Sequence, residues 1–401
     1  MTSHASRRDA LKLGFGLGVT FFAAPALAAD PKSPKLVVIV CRGAMDGLSV
    51  SPPLNDADYL ALRGPIAITA DKALRFDNDF GLHPKLVNFQ RLVQSGQGRI
   101  APAVAMPTHI RSHFEAQDLL ETGSDRLYGA ATGWLNRTVQ ALDSGAPARA
   151  IGVSPQVPLI LQGPARFDTW SPGAQYNPGA SRVPMLLQDL YQGDALLGTN
   201  FAEGLKVEQE AMSLNANMAP LKAGDAKDVA TAAARFLTEP GGPAIAVLSL
   251  DGFDTHANQG AAEGQLAGRL ANLDAVLASL EQGLGADWGR TAVVVATEFG
   301  RTAHVNGTGG TDHGTASTLL LAGGAIKGTG IVGDWPGLAS DKLFEKRDTA
   351  PTLDMRRVFK TLVVQHLGVS RRTADTLVFP NSKDLPLIEG CLLYTSDAAD
   401  E

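Results

Sequence analysis

The chain has 401 residues, a formal net charge of −6 and 44% hydrophobic residues, a composition ordinary for a globular protein. The acidic balance gives no footprint for nucleic acid, which wants a basic face, and 43 glycines with 23 prolines imply many loops. Cys391 lies in an atypical tail, so Cys41 has no internal disulfide partner and reads as a small buried hydrophobe.

The N-terminus opens with Arg7-Arg8, an apolar stretch from Leu13 to Ala24, and then Pro25 and Ala26-Leu27-Ala28. A positive start, a short apolar run and an A-x-A site are the parts of a cleavable signal, here residues 1–28. The paired arginines point to the twin-arginine (Tat) pathway. Tat carries folded proteins, so the expectation is a periplasmic or secreted chain that meets the Tat translocase during export. The apolar run is too short for a good membrane span, so the mature protein is expected to have none.

The body of the chain is expected over 29–389. Leu36–Cys41 is a continuous apolar, β-branched run, as in a strand buried on both faces. Similar runs follow at Ile100–Ala105, Ala244–Leu250 and Thr291–Ala296, with a weaker fifth at Ser317–Ala322. Helical patterns lie between them at Pro84–Gln94, Glu115–Thr122 and Gly264–Gln282, and a late amphipathic one spans 351–367. Alternating strands and helices predict an α/β fold around a mostly parallel sheet. Residues 163–240 start loop-like and pass into polar helices around 185–213 and 226–238, which reads as a helical and loop cap insertion over the sheet. Residues 390–401 read as translated sequencing-adapter sequence and are set aside.

Ligands of parallel α/β sheets bind beyond the carboxyl ends of the strands. The segments there are Arg42-Gly43-Ala44-Met45-Asp46-Gly47, Thr108 to Glu115, Asp251 to Asn258, and Thr297-Glu298-Phe299-Gly300-Arg301. Gly310-Thr311-Asp312-His313-Gly314 stands just before the fifth strand. Imidazoles and carboxylates so collected are the ligand set of zinc, manganese or iron. Local readings compete at several positions. Asp46-Gly47 also fits a simple turn, Ser112 with Glu115 fits a helix capping box, and Glu298 with Arg301 fits a salt bridge. His109 and His113 also fit packed or surface histidines, and His83 and His304 stand in plain loops.

Taken in order, RGAMDGLSV, RSHFEAQD, DGFDTHANQ, TEFGRT and GTDHG resemble the exported family called domain of unknown function 1501, over roughly residues 34–338. That family is similar in turn to the alkaline phosphatase and sulfatase superfamily. The resemblance implies a doubly wound α/β sheet with helices on both faces and metal ligands at the strand ends. It implies a divalent metal, zinc or manganese, as one or two ions. Asp254, His256 and His313 match the ligands of a first ion. Glu298 and Asp46 stand near the positions for a second, and His113 stands as a further imidazole, although Phe299 replaces the superfamily's histidine and Asp46 comes four residues late. Ser112 matches the nucleophile, with Arg111 or Arg301 to hold the oxygens of an ester. Cys41 is outside the context of a formylglycine precursor. The implied function is metal-dependent hydrolysis of a small or polymeric phosphate or sulfate ester. The alternative is a non-catalytic, metal-containing binding or assembly protein on the same fold. An oxidoreductase is disfavoured, because no G-x-G-x-x-G follows the first strand and no iron–sulfur cysteine set is present.

Overall fold

The computed structural model describes residues 33–142, 150–154, 157–171, 191, 225–328 and 330–385. The expected signal, the tail 390–401 and, apart from Tyr191, the expected helices around 185–213 lie outside the described residues.

An eight-stranded sheet organises the chain. Its strands are β1 (Lys35–Cys41), β2 (Gly98–Ala105), β3 (Ala150–Val153), β4 (Phe167–Trp170), β5 (Ile245–Leu250), β6 (Thr291–Ala296), β7 (Ser317–Ala322) and β8 (Leu353–Asp354). The spatial order is β8-β2-β7-β6-β1-β5-β3-β4. All five expected strands form. β1 runs parallel to β5 on one side and to β6 on the other, in register Val38↔Val247 and Val38↔Val294. β7 departs from the parallel pattern: it is antiparallel to both β6 and β2. That reversal matters for function. The segment entering an antiparallel strand arrives at the same edge as the segments leaving its parallel neighbours.

Strand alternation explains the two cores. Leu36, Val38 and Val40 face one apolar cluster, and Val37, Ile39 and Cys41 face another. The first is covered by α2 (His113–Thr122), α3 (Trp134–Leu142) and α6 (Met355–Thr361). The second is covered by α1 (Val87–Gln94), α4 (Ala226–Thr238) and α5 (Gln265–Leu284). The sheet is therefore doubly wound. Leu266, Leu270, Leu273, Leu277, Leu280 and Leu284 are all buried, so the helical spacing of α5 puts one apolar stripe on the sheet. Among the described residues, no helix is long and apolar enough to cross a membrane.

The two ends of the segment 163–240 join the main body. Phe167–Trp170 is the edge strand beside β3. The α4 helix, capped by the Asp225 carboxylate on the Lys227 N–H, buries Ala230, Ala233 and Leu237 in the second core. The stretch between them, 172–190 and 192–224, lies outside the described residues.

Candidate metal centre

β1 lies between its parallel neighbours β5 and β6, so the loops that leave all three strands gather at one edge of the sheet. The loops there pack closely enough to need glycine. Gly43 has φ +110°, and a Cβ on it would lie 2.5 Å from the Asp254 backbone nitrogen. Gly310 likewise lies against His256, with a Cβ position 2.3 Å from the His256 carbonyl carbon. These glycines set the loops after β1, after β5 and before β7 directly on one another.

Three histidines from three loops present their Nε2 atoms to one carboxylate. His256 Nε2 lies 3.0 Å from Asp254 Oδ1, His313 Nε2 3.3 Å from the same oxygen, and His113 Nε2 3.4 Å from Oδ2. Each Nδ1 has an acceptor behind it. His113 Nδ1 is 2.7 Å from Glu298 Oε1, His313 Nδ1 is 2.8 Å from the Arg111 carbonyl, and His256 Nδ1 is 3.4 Å from Asp312 Oδ1. A carbonyl or carboxylate at Nδ1 fixes the proton there, so the neutral rings turn their lone pairs inward from Nε2.

That arrangement is what a metal needs. His256 Nε2 and His313 Nε2 are only 3.0 Å apart. With both Nδ1 atoms protonated, two lone pairs face each other, a repulsive contact unless a cation lies between them. The His113 Nε2 is buried without a hydrogen-bond partner. Zinc–nitrogen bonds of 2.0–2.1 Å at tetrahedral angles separate donor atoms by about 3.3 Å. The separations of 3.0 to 3.3 Å among Asp254 Oδ1, His256 Nε2 and His313 Nε2 match it, and His113 Nε2 lies 3.4 Å from the other carboxylate oxygen. Donor atoms of His113, Asp254 and His313 all lie within 4.8 Å of one another. The residues therefore fit a divalent ion of the zinc type.

The electrostatics follow from the surroundings. Burial pushes the Asp254 carboxyl up, but Arg301 and the three imidazoles hold it below the usual carboxylate range. Burial likewise opposes ionisation of Glu298, and the bonds from His113, the Gly43 N–H and Gln117 more than reverse that. The bond to Glu298 raises His113, whereas burial lowers His313. Burial lowers Arg301, against the pull of Asp254.

The other expected site residues are placed less directly. Glu298 contacts His113 and sits behind it, with its side chain fully buried. Asp46 is removed from the cluster, paired with the buried Arg63 and accepting from Ser49 Oγ and Gln259 Nε2, both at 2.7 Å. It is the N-cap residue of the short helix Gly47–Val50, more than the turn that Asp-Gly alone suggests. Ser112 is the N-cap residue of α2 and is half-buried, but its hydroxyl makes no capping bond, so the capping box with Glu115 does not form. Arg111 stands at the rim and ties to Asp348 and Glu345, each at 2.7 Å. Arg301 is buried beneath Asp254, its guanidinium 2.8 Å from Oδ1.

Sequence reasoning missed the supporting polar groups. Gln117 holds Glu298 at 3.2 Å and accepts from Arg42 at 2.7 Å. Its place one helical turn after His113 is a usable signal. Asp312 was visible only as the neighbour of His313. Asp348, buried and far along the chain from Arg111, carries no local signal.

A family model described as "Protein of unknown function (DUF1501)" matches residues 33–377. No curated protein matches the chain. Among solved structures, the chain is similar to Ps i-CgsB in complex with k-i-k-neocarrahexaose, at 11% identity over 86% of this chain and 74% of that one, with a TM-score of 0.42. It is also similar to the C-terminal periplasmic domain of EcEptC from Escherichia coli in complex with Zn, at 12% identity, 75% and 77% coverage and a TM-score of 0.38. A mutant of the alkaline phosphatase PafA matches at 10% identity, 71% and 65% coverage and a TM-score of 0.34.

Proposed function

We propose that this chain, which belongs to the DUF1501 family, is a metal-dependent hydrolase of phosphate or sulfate esters that works outside the cytoplasm. The observation that carries the reading is the convergence of three inward-facing Nε2 atoms on the Asp254 carboxylate, with two of them 3.0 Å apart. His113, His256, His313 and Asp254 would hold the ion. A zinc or manganese ion bound there supplies Lewis acidity toward an ester oxygen.

The remaining roles belong to the protein. Ser112 is the oxygen nucleophile, adjacent in the chain to His113 and at the N-terminus of a ten-residue helix, where backbone N–H groups favour an anion. Its hydroxyl is not consumed by capping. Arg111, 30% exposed, is the cation at the rim that can meet the non-bridging oxygens of an ester. Arg301, beneath Asp254, keeps that carboxylate ionised. Glu298 holds the His113 ring in the tautomer that turns Nε2 inward.

The test is a panel of phosphate monoesters, phosphate diesters and sulfate esters, assayed with the chain loaded with zinc or manganese. Turnover of at least one class, lost in His313→Ala, is expected. No turnover of any ester with either ion, from a folded protein that does bind metal, would favour a non-catalytic binding protein.

A further inference from the structure

We infer that the site is a one-ion centre, in which Glu298 and Asp46 are not ligands and each is instead committed to its own protein donors. The inference rests on the proposed metal-dependent reading and narrows it.

Glu298 meets the cluster through an oxygen that is already committed to protein donors. Its Oε1 accepts from His113 Nδ1 at 2.7 Å, the Gly43 N–H at 2.9 Å and Gln117 Nε2 at 3.2 Å. Its Oε2 lies 3.0 Å from the Thr297 hydroxyl. Binding an ion directly would strip those donors from a fully buried carboxylate and release the His113 ring that they orient. A carboxylate behind a ligating histidine is an orienting group, and here the geometry is of that kind. Glu298 is therefore a positioning residue.

Asp46 is also fully committed on Oδ2, which takes the Arg63 guanidinium, Ser49 Oγ and Gln259 Nε2. Arg63 is completely buried, so removing its counter-charge to ligate a metal would leave an unpaired interior cation. Asp46 Oδ1 is buried without a partner, as are all three nitrogens of Arg301 by hydrogen-bond geometry. The two groups lie close enough to interact electrostatically. They are complementary, donors on Arg301 and an acceptor on Asp46.

Arg301 is buried and its guanidinium is 2.8 Å from Asp254 Oδ1, so part of that carboxylate's charge is already matched by a fixed cation. The metal-ligating group of His113, Asp254 and His313 belongs to this same single cluster, and neither Glu298 nor Asp46 is in it.

The experiment is cobalt titration of the metal-free full chain, followed by visible absorption, with zinc content after equilibrium dialysis as a second readout. One equivalent should saturate the signal, and one zinc per chain should remain. Glu298→Gln should still take one cobalt with an unchanged absorption envelope, about 10–100-fold more weakly. Asp46→Asn should also take one. Two ions per wild-type chain would overturn the inference and leave the hydrolase reading standing. A folded Glu298→Gln chain with an altered cobalt envelope would overturn it too, by making Glu298 a ligand. No ion at all in the wild type would defeat both. The wild-type stoichiometry decides alone if either variant fails to fold.

Discussion

His256 Nε2 lies 3.0 Å from His313 Nε2, although each ring has an acceptor at Nδ1. Neither ring then has a proton to offer the other. A cation resolves the conflict, so ion binding should stabilise the fold. Adding zinc at 100 times its dissociation constant should raise unfolding free energy by about 2.7 kcal/mol. His313→Ala, which removes the better-supported ring, should abolish that gain. Thermal unfolding with and without zinc checks it. An equal zinc effect in the variant would count against the cluster.

Ser112 precedes His113 in the chain and has an uncapped hydroxyl. Ser112→Ala should reduce turnover by on the order of 10³-fold or more while zinc content is unchanged. Because the side chain makes no capping bond, the unfolding midpoint should barely move. Steady-state kinetics beside elemental analysis separates the cases. Retained turnover would remove Ser112 from the chemistry.

Two titrations with opposite signs meet at Glu298 and His113. The folded pKa of Glu298 lies below its ordinary value of 4.5. Its stabilisation is therefore complete above 4.5 and is lost as pH falls through the lower folded value. His113 is raised above 6.5. In metal-free protein its contribution is complete below 6.5 and is lost as pH rises through the raised value. Zinc needs the ring neutral, so zinc affinity should climb over that same upper window. Unfolding and zinc titrations across pH, on wild type and Glu298→Gln, test both limbs. The variant should lose the acid limb, and its zinc affinity should reach a plateau at lower pH. An identical pair of profiles would contradict the coupling.

Gly43 joins two loops of the site through close approach. Gly43→Ala would place a Cβ 2.5 Å from the Asp254 nitrogen at a φ of +110°. The expected cost is roughly 2 kcal/mol or more, with weakened metal binding because Asp254 must shift. The urea midpoint and zinc affinity should fall together. A change in one alone would mean that the two loops do not position each other.

Much of this was legible in the sequence because burial on both faces leaves continuous apolar runs such as Leu36–Cys41 and Thr291–Ala296. The histidine-bearing segments at strand ends were legible for the same reason. Strand direction was not, because an apolar run such as Ser317–Ala322 reads identically in either orientation. The strands Ala150–Val153 and Phe167–Trp170 were missed because they are four residues long, and the second, at the sheet edge, carries the polar Asp168 and Thr169. Within the site, Asp254 could be grouped with His256 and His313 through the family resemblance, but the partners of the other two carboxylates could not be named. Asp46 goes to Arg63, and Glu298 goes behind His113. Such pairings depend on partners remote in the chain, and no spacing rule encodes them.

The most direct test of a metal-dependent hydrolase is elemental analysis of the purified protein beside a His256→Ala/His313→Ala double variant. The account predicts a divalent ion in the wild type and its loss in the variant. Wild-type protein free of metal even after reconstitution with zinc or manganese, or equal metal content in both proteins, would contradict it.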